Sequence, residues 1–166
     1  MTVYTYKATA KKDQAAVISR PVDSNTIVNP GVRLIAVTHA ATGTGSTLDF
    51  NLRLPTSARV LPSSKLYNDD LGTNATVMKL GFKGVNSNAS DVLDAISGSI
   101  ALGTVSTVNT GMNVLGTTLS NYGKRVWELM SLASDPGGFV DVVGTTLTAA
   151  TSVTGYVALD LNITFN

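Results

Sequence analysis

The chain has 166 residues; 12 are Lys or Arg and 11 are Asp or Glu, so the net charge is +1. This balance gives no electrostatic reason to expect binding to nucleic acid or to an anionic membrane. The absence of cysteine excludes disulfides and thiolate chemistry. No apolar run approaches the roughly 20 residues that span a bilayer, and the first residues lack the apolar region of a secretory signal. We therefore expect a soluble protein made in a cytoplasm.

Charged residues make up only 14% of the chain, against roughly 25% in ordinary soluble domains. Thr, Ser, Asn and Gly take their place. Short neutral side chains lose little rotamer entropy and carry no charge to desolvate when a partner covers them. The composition is typical of a protein packed against copies of itself or a lattice, or of a β-rich domain that simply favours Thr and Val.

Residues 1–12 read as an N-terminal arm or edge strand, and residues 13–166 as a single β-sandwich domain. The arm combines amphipathic aromatic rings with cations on an extended Thr/Val background. We predict that it contacts a partner through five residues. These are Tyr4, Tyr6, Lys7, Lys11 and Lys12.

The next elements are short strands separated by turns. Residues 14–22 favour a short strand that ends at Pro21, and residues 32–38 form a β-branched run typical of a buried strand that His39 closes. Between these two segments, Asn-Pro-Gly at 29–31 predicts a tight turn.

Residues 48–82 are the stretch around which the chain is organised. Large apolar residues alternate with polar ones from Leu48 to Leu54, and again from Met78 to Phe82. Strict alternation places the apolar side chains on one face of a strand. The stretch therefore predicts two half-buried strands joined by a long ordered excursion.

The following segments are less regular. Ser90 and Asp91 have the character of a helix start, and with Leu93 and Ile96 they predict a short helix at 90–97. Residues 103–123 predict a long loop with one strand at 113–119. Residues 124–132 fit a strand with a buried Trp127 or a single helical turn about equally well.

The last strand has the clearest pattern in the chain. Val157, Leu159, Leu161, Ile163 and Phe165 alternate with smaller or polar residues. Short strands, regularly spaced turns and one small helix predict an all-β protein, an antiparallel β-sandwich that is jelly-roll-like with long loops.

The candidate catalytic and metal-binding residues are few, and we predict no enzyme activity and no cofactor. His39 is the sole histidine, and no nucleophile elbow accompanies it. Two acidic pairs, at 69–70 and at 91 and 94, could serve glycoside cleavage but also suit turn and helix caps. Asn68, Asp69 and Asp70 crowd oxygen ligands together without the spacing of a calcium loop.

A series of short motifs carries a family resemblance. LPTSARVL, DDLGTNAT and VMKLGF follow one another within 48–82, and VDVVGTTLTAATS and TGYVALDLNITF lie within 139–166. This layout resembles small virion structural proteins of tailed bacteriophages, of the capsid cement or decoration type. The motifs are turns and strands, and none is catalytic.

The resemblance implies a β-sandwich that binds the exterior of the capsid, contacts the major capsid protein and stabilises the coat lattice. It also implies a homodimer or homotrimer in the virion, without nucleic-acid or membrane partners. The sequence is also compatible with two alternative functions. One is a tail or head-fibre component that binds host glycans, and the other is a lectin outside any virion.

Overall fold

The computed structural model describes residues 5–7, 17–18, 31–39, 43–69, 77–102, 109–115, 119–148 and 156–165. Within these ranges, eleven strands form two sheets, with one helical turn, α1 (Val126–Leu129), and a 3-10 turn at Leu119–Asn121. The strands are β1 (Thr5–Lys7), β2 (Val17–Ile18), β3 (Gly31–His39), β4 (Thr47–Pro55), β5 (Arg59–Val60), β6 (Lys65–Asn68), β7 (Val77–Gly84), β8 (Val92–Ala101), β9 (Asn109–Asn113), β10 (Phe139–Thr148) and β11 (Tyr156–Thr164).

Eight of these strands pair from the ends of the chain inward. β3 pairs with β11, β4 with β10, β6 with β9 and β7 with β8, all antiparallel. Pairing of β10 with β7 and of β11 with β6 then rolls this long hairpin into two sheets. The resulting orders, β1-β4-β10-β7-β8 and β2-β3-β11-β6-β9, contain a jelly roll with the short strands β1 and β2 added at its edges. The eleventh strand, β5, pairs with the end of β11. The predicted all-β sandwich is confirmed.

The core lies between the two sheets, where the alternating residues meet. One sheet contributes Phe50, Leu80 and Phe82, and the other contributes Leu159 and Leu161, each fully buried. Large side chains removed from water on both inner faces supply most of the driving force for folding. The predicted final strand is confirmed as β11, except that Phe165 lies beyond its end and is 40% exposed.

Strand β4 departs from regular geometry at its centre. Asn51 has a left-handed φ of 54°, and its backbone N–H donates to the Asp49 carboxylate at 2.8 Å. Asp49 pairs with Val143, and the next register pair is Arg53 with Asp141. Four residues of β4 therefore lie opposite two residues of β10. Because the bulge adds an even number of residues, Leu48 and Leu54 both still point into the core.

The helix predicted at 90–97 is wrong: those residues lead into and form β8. Ile96 and Ile100 are both buried, and a spacing of four places two residues on the same face of a strand as well as of a helix. Asp91 does not cap a helix, because its carboxylate accepts the backbone N–H of Gly84 at 3.0 Å. Pairing with β7 therefore decides the conformation.

Of the strand predicted at 113–119, only Asn113 is in a strand, because β9 ends there and residues 114–115 form a turn; residues 116–118 lie outside the described residues. Val114 and Leu115 are buried after the strand has ended. Within 124–132 the structure resolves the two alternatives in favour of a helical turn, in which Val126 and Leu129 are buried and Trp127 is only half-buried. No helix in the described part of the chain is long and apolar enough to cross a bilayer.

Gly81 allows β8 to fold over the outer side of β7. A Cβ built on Gly81 would lie 2.2 Å from the Val92 carbonyl oxygen and 2.7 Å from the Asp94 nitrogen. These are backbone atoms, which cannot move aside as the end of a side chain can. The close approach accounts for the register irregularities between β7 and β8.

We expect Gly81→Ala to destabilise the fold by about 1–3 kcal/mol, because the added methyl must displace the β8 backbone. Gly98→Ala is the matched control, since Gly98 is in β8 with no atom within 4 Å of its Cβ position. The control should change the free energy of unfolding by less than about 0.5 kcal/mol. Chemical denaturation measures both, and equal effects would contradict the close approach.

Candidate contact surface

The structure places part of the predicted binding arm at the edge of a sheet. β1 pairs in parallel with β4, and the register sets Tyr6 opposite Leu48 and Lys7 opposite Asp49. Tyr4, Lys11 and Lys12 lie outside the described residues. The role of these five residues in binding a partner stays a prediction.

One end of the sandwich, which we call the helix end, is formed by the ends of β4, β7 and β11 and the starts of β8 and β10. Antiparallel pairing brings these strand ends together. Three connections cover this end: residues 56–64, residues 85–91, and residues 119–138, which include α1. Connections that project from a fixed sandwich are common places for binding residues.

The 85–91 connection begins with a tight hairpin turn. Asn86 and Ser87 both have left-handed φ angles, 54° and 59°, and the Asn88 N–H donates to the Val85 carbonyl at 3.2 Å. Two consecutive left-handed residues define a type I′ turn, whose twist matches that of the paired strands. Ser87 occupies a position where glycine is usually preferred.

Asn88 ties this turn to the start of β10. Its side-chain nitrogen donates to the carbonyls of Gly137 at 2.9 Å and Phe139 at 3.0 Å, while its side-chain oxygen accepts the Val85 N–H at 2.9 Å. One amide therefore satisfies three backbone groups of two separate connections. Only an amide offers two donors and an acceptor in this arrangement.

Phe139 is the most exposed large hydrophobic residue in the described part of the chain, at 51%. Its carbonyl accepts from Asn88, its register partner on β4 is Pro55, and the neighbouring Gly138 carbonyl accepts the Thr56 N–H at 3.1 Å. The backbone on which the ring stands is therefore fixed on both sides. An exposed aromatic side chain on a fixed backbone can be buried by a partner with little loss of conformational entropy.

The helical turn docks against the connection after β4. The N–H groups of Val126 and Trp127 donate to the carbonyls of Ala58 and Thr56, at 2.7 and 3.1 Å. The Thr56 hydroxyl donates to the Asp135 carboxylate at 2.5 Å, and the same carboxylate oxygen accepts the Gly137 N–H at 2.9 Å. These bonds join residues 56–58, 126–127 and 135–139 into one hydrogen-bonded surface at the helix end.

An ion pair lies beside this surface on the outer face of the sheet. Arg53 and Asp141 are register partners on β4 and β10, and the guanidinium donates to both carboxylate oxygens, at 2.7 and 3.0 Å. This hydrogen bond, together with the charge of Asp141, raises the pKa of Arg53 above its ordinary value. The pair is exposed, so it orients the two side chains more than it stabilises the fold.

His39 and the acidic pair Asp91 and Asp94 are not brought together, because β3 and β8 belong to different sheets. His39 ends β3 opposite Tyr156, whereas Asp91 and Asp94 flank the start of β8. Asn68 is a buried residue of β6, and its amide donates to the carbonyls of Asp69 and Leu102 at 2.8 Å. Asp70 lies outside the described residues, and within the described ranges no group of three His, Cys, Asp or Glu residues could hold a metal ion.

Sequence reasoning missed the residues that build the helix end. Phe139 directly follows the Asp-Pro-Gly-Gly turn at 135–138, which marks a strand start but gives no sign that the first side chain is exposed. Asn88 is the first residue of an Asn-Ala-Ser glycosylation motif, a pattern that gives no sign of a structural role. Two of its three hydrogen bonds go to the carbonyls of Gly137 and Phe139, and Gly137 is 49 residues further along the chain.

We expect Asn88→Asp to destabilise the protein by about 1–3 kcal/mol, because two donors are replaced by a carboxylate that faces two carbonyl oxygens. Asn86→Asp is the matched control: it adds the same charge to the same turn at an exposed residue whose left-handed conformation Asp tolerates. Thermal unfolding compares the two. A control as destabilised as Asn88→Asp would show that charge, rather than the lost donors, is responsible.

Comparison with solved structures finds a distant similarity to a chain of the cyanophage Pam1 capsid asymmetric unit. The two are 18% identical, the TM-score is 0.43, and the match covers 89% of this chain and 94% of that chain. No protein-family model matches the sequence, and no curated protein matches it.

Proposed function

We propose that this chain is a virion structural protein that attaches to the outer surface of a phage capsid and stabilises the coat lattice. The observation that carries the proposal is Phe139, a half-exposed aromatic ring on a backbone fixed by Asn88 and Thr56. Aromatic residues that a partner can enclose dominate the binding energy of many protein interfaces. The motif layout described above supports the same class of protein.

The charge-poor surface supports adhesion to a protein lattice. With 14% charged residues, a partner can cover Thr, Ser and Asn side chains without desolvating many ions. Jelly rolls occur in capsid subunits but also in lectins and cupins, so the proposal rests on the surface and not on the fold.

The mechanism we propose is selective binding to the assembled lattice. A protein that binds the lattice but not the free coat subunit stabilises the lattice by mass action. Attachment of an oligomer, a homodimer or homotrimer, to several coat subunits raises the effective concentration of each further contact, so that each contact can be weak. The major capsid protein is the partner, and no cofactor or catalytic step is involved.

A tail or head-fibre component that binds host glycans is the second candidate. It is favoured by the exposed aromatic rings, Phe139 and Tyr156, since such rings can stack on sugars. The copy number separates the two functions: a lattice-binding protein should approach the abundance of the coat subunit, whereas a fibre should be a small fraction of it. Quantitative mass spectrometry of virions that contain the chain measures this ratio.

We expect Phe139→Ser to weaken attachment about tenfold or more, because removal of a buried aromatic anchor typically costs about 2 kcal/mol. Leu147→Ser is the matched control, since Leu147 is 41% exposed at the other end of β10. Heads assembled without the chain are incubated with each purified protein, and the bound fraction is measured by sedimentation. Equal attachment of both variants would remove Phe139 from the interface.

The predicted arm residues are tested by substitution, because deleting residues 1–12 would also remove β1 and expose the edge of β4. We expect replacement of Lys7, Lys11 and Lys12 by Gln to weaken attachment several-fold, with a smaller dependence on salt. The same head-binding assay at two salt concentrations measures this effect. Unchanged affinity and unchanged salt dependence would show that these lysines do not meet coat carboxylates.

A further inference from the structure

Two arginines lie directly opposite each other at the helix end. An isolated antiparallel bridge pairs Arg59 of β5 with Arg125, the residue before α1, and Lys124 precedes Arg125. These three cations are a quarter of the 12 in the chain, in a protein whose surface is otherwise poor in charge. We call them the basic cluster.

The geometry of the bridge brings the arginine side chains close together. The Val126 N–H donates to the Ala58 carbonyl at 2.7 Å, and the Arg125 N–H donates to the Glu128 carboxylate at 2.6 Å instead of to Arg59. This is the pattern of a non-hydrogen-bonded antiparallel pair, in which the Cα atoms are about 4.5 Å apart and the side chains share one face. Like charges in this position destabilise the folded chain.

Local groups hold two of the three cations in place. The Arg59 guanidinium donates to the Gly123 carbonyl, and the Lys124 ammonium donates to the Asn121 side-chain oxygen at 3.1 Å. The Arg125 guanidinium makes no ion pair with a described residue. The nearest acid along the chain, Glu128, uses its carboxylate on the Arg125 N–H. The cluster therefore presents Arg125, a partly exposed residue, beside two fixed cations.

We infer that the basic cluster binds carboxylates of an acidic protein segment. A carboxylate matches the planar fork of a guanidinium and would offset the repulsion between Arg59 and Arg125. The inference rests on the proposed function, in which that segment belongs to the coat subunit. An acidic protein segment is favoured over nucleic acid because the chain carries a net charge of only +1 and the basic cluster contains only three cations.

The basic cluster and Phe139 belong to the same hydrogen-bonded surface. Residues 56–58 contact both 126–127 and 138, so the cations of the cluster and the exposed ring are positioned by the same connection. An aromatic anchor with a nearby arginine is a common composition for the centre of a protein interface.

The test uses the full chain and a fluorescent hexaglutamate peptide, with oligothymidylate as the competing probe. Titrations are made near 0.01 M salt, where the Debye length is about 30 Å. We expect Arg125→Gln to weaken peptide binding at least fivefold. Lys83→Gln is the matched control, because Lys83 is an exposed cation on β7. This control should leave peptide binding unchanged.

The melting temperature of the free variant is the second readout. Arg125→Gln should raise the melting temperature by about 1–3 °C, because it removes repulsion between like charges, and added salt should reduce the gain. The inference would be overturned if Arg125→Gln left peptide binding unchanged or lowered the melting temperature. It would also be overturned if the chain bound oligothymidylate more tightly than the peptide and that binding depended on Arg125. None of these results depends on virions, so they are distinguishable from a failed copy-number measurement.

Discussion

Hydrogen bonding along both edges of β10 is the constraint on which the rest of the structure depends. β4 pairs with one edge and β7 with the other, so Val140, Asp141 and residues 143–145 each have a register partner on both sides. At its centre, Gly144 faces the core, where a Cβ would lie 2.6 Å from the Met78 sulfur and 3.4 Å from the Phe50 ring. Because Gly144 has no side chain, Met78 of β7 and Phe50 of β4 pack directly over its backbone. The inner face of the sheet is therefore filled without a void at this point.

The same strand determines what the surface presents. Phe139 projects at its start because Pro55, Asn88 and Thr56 fix the backbone there. Asp141, two residues later, faces outward and pairs with Arg53. At the far end, the Thr146 hydroxyl donates to the Gly43 carbonyl at 2.6 Å and thereby anchors the turn before β4. Both ends of the sandwich are therefore organised by one central strand.

The helix end is built by side chains that bond to distant backbone, because its loops have no ladder of their own. Asn88 and Asp135 satisfy carbonyl and N–H groups that would otherwise lose their hydrogen bonds when partly buried, and the Thr56 hydroxyl holds the Asp135 carboxylate in place. Such a surface is preorganised, which lowers the entropy lost on binding. At the same end, an antiparallel bridge sets Arg59 opposite Arg125 and so places two like charges side by side.

Residue patterns by themselves determined the strands that are buried on one face. Alternation predicted β4, β7 and β11, because apolar residues at every second position over several residues indicate a strand and not a helix. The β-branched run predicted β3. The all-β sandwich follows from those strands and from the spacing of the turns between them.

Tertiary structure decided the segments whose patterns fit two conformations. Ile96 and Ile100 suit a helix or a strand equally, and pairing of β8 with β7 selects the strand. Residues 124–132 become a helical turn because Thr56 and Ala58 offer carbonyls to Trp127 and Val126. The exposed ring of Phe139 and the opposed arginines arise from contacts between residues far apart in sequence, and no local pattern encodes such contacts.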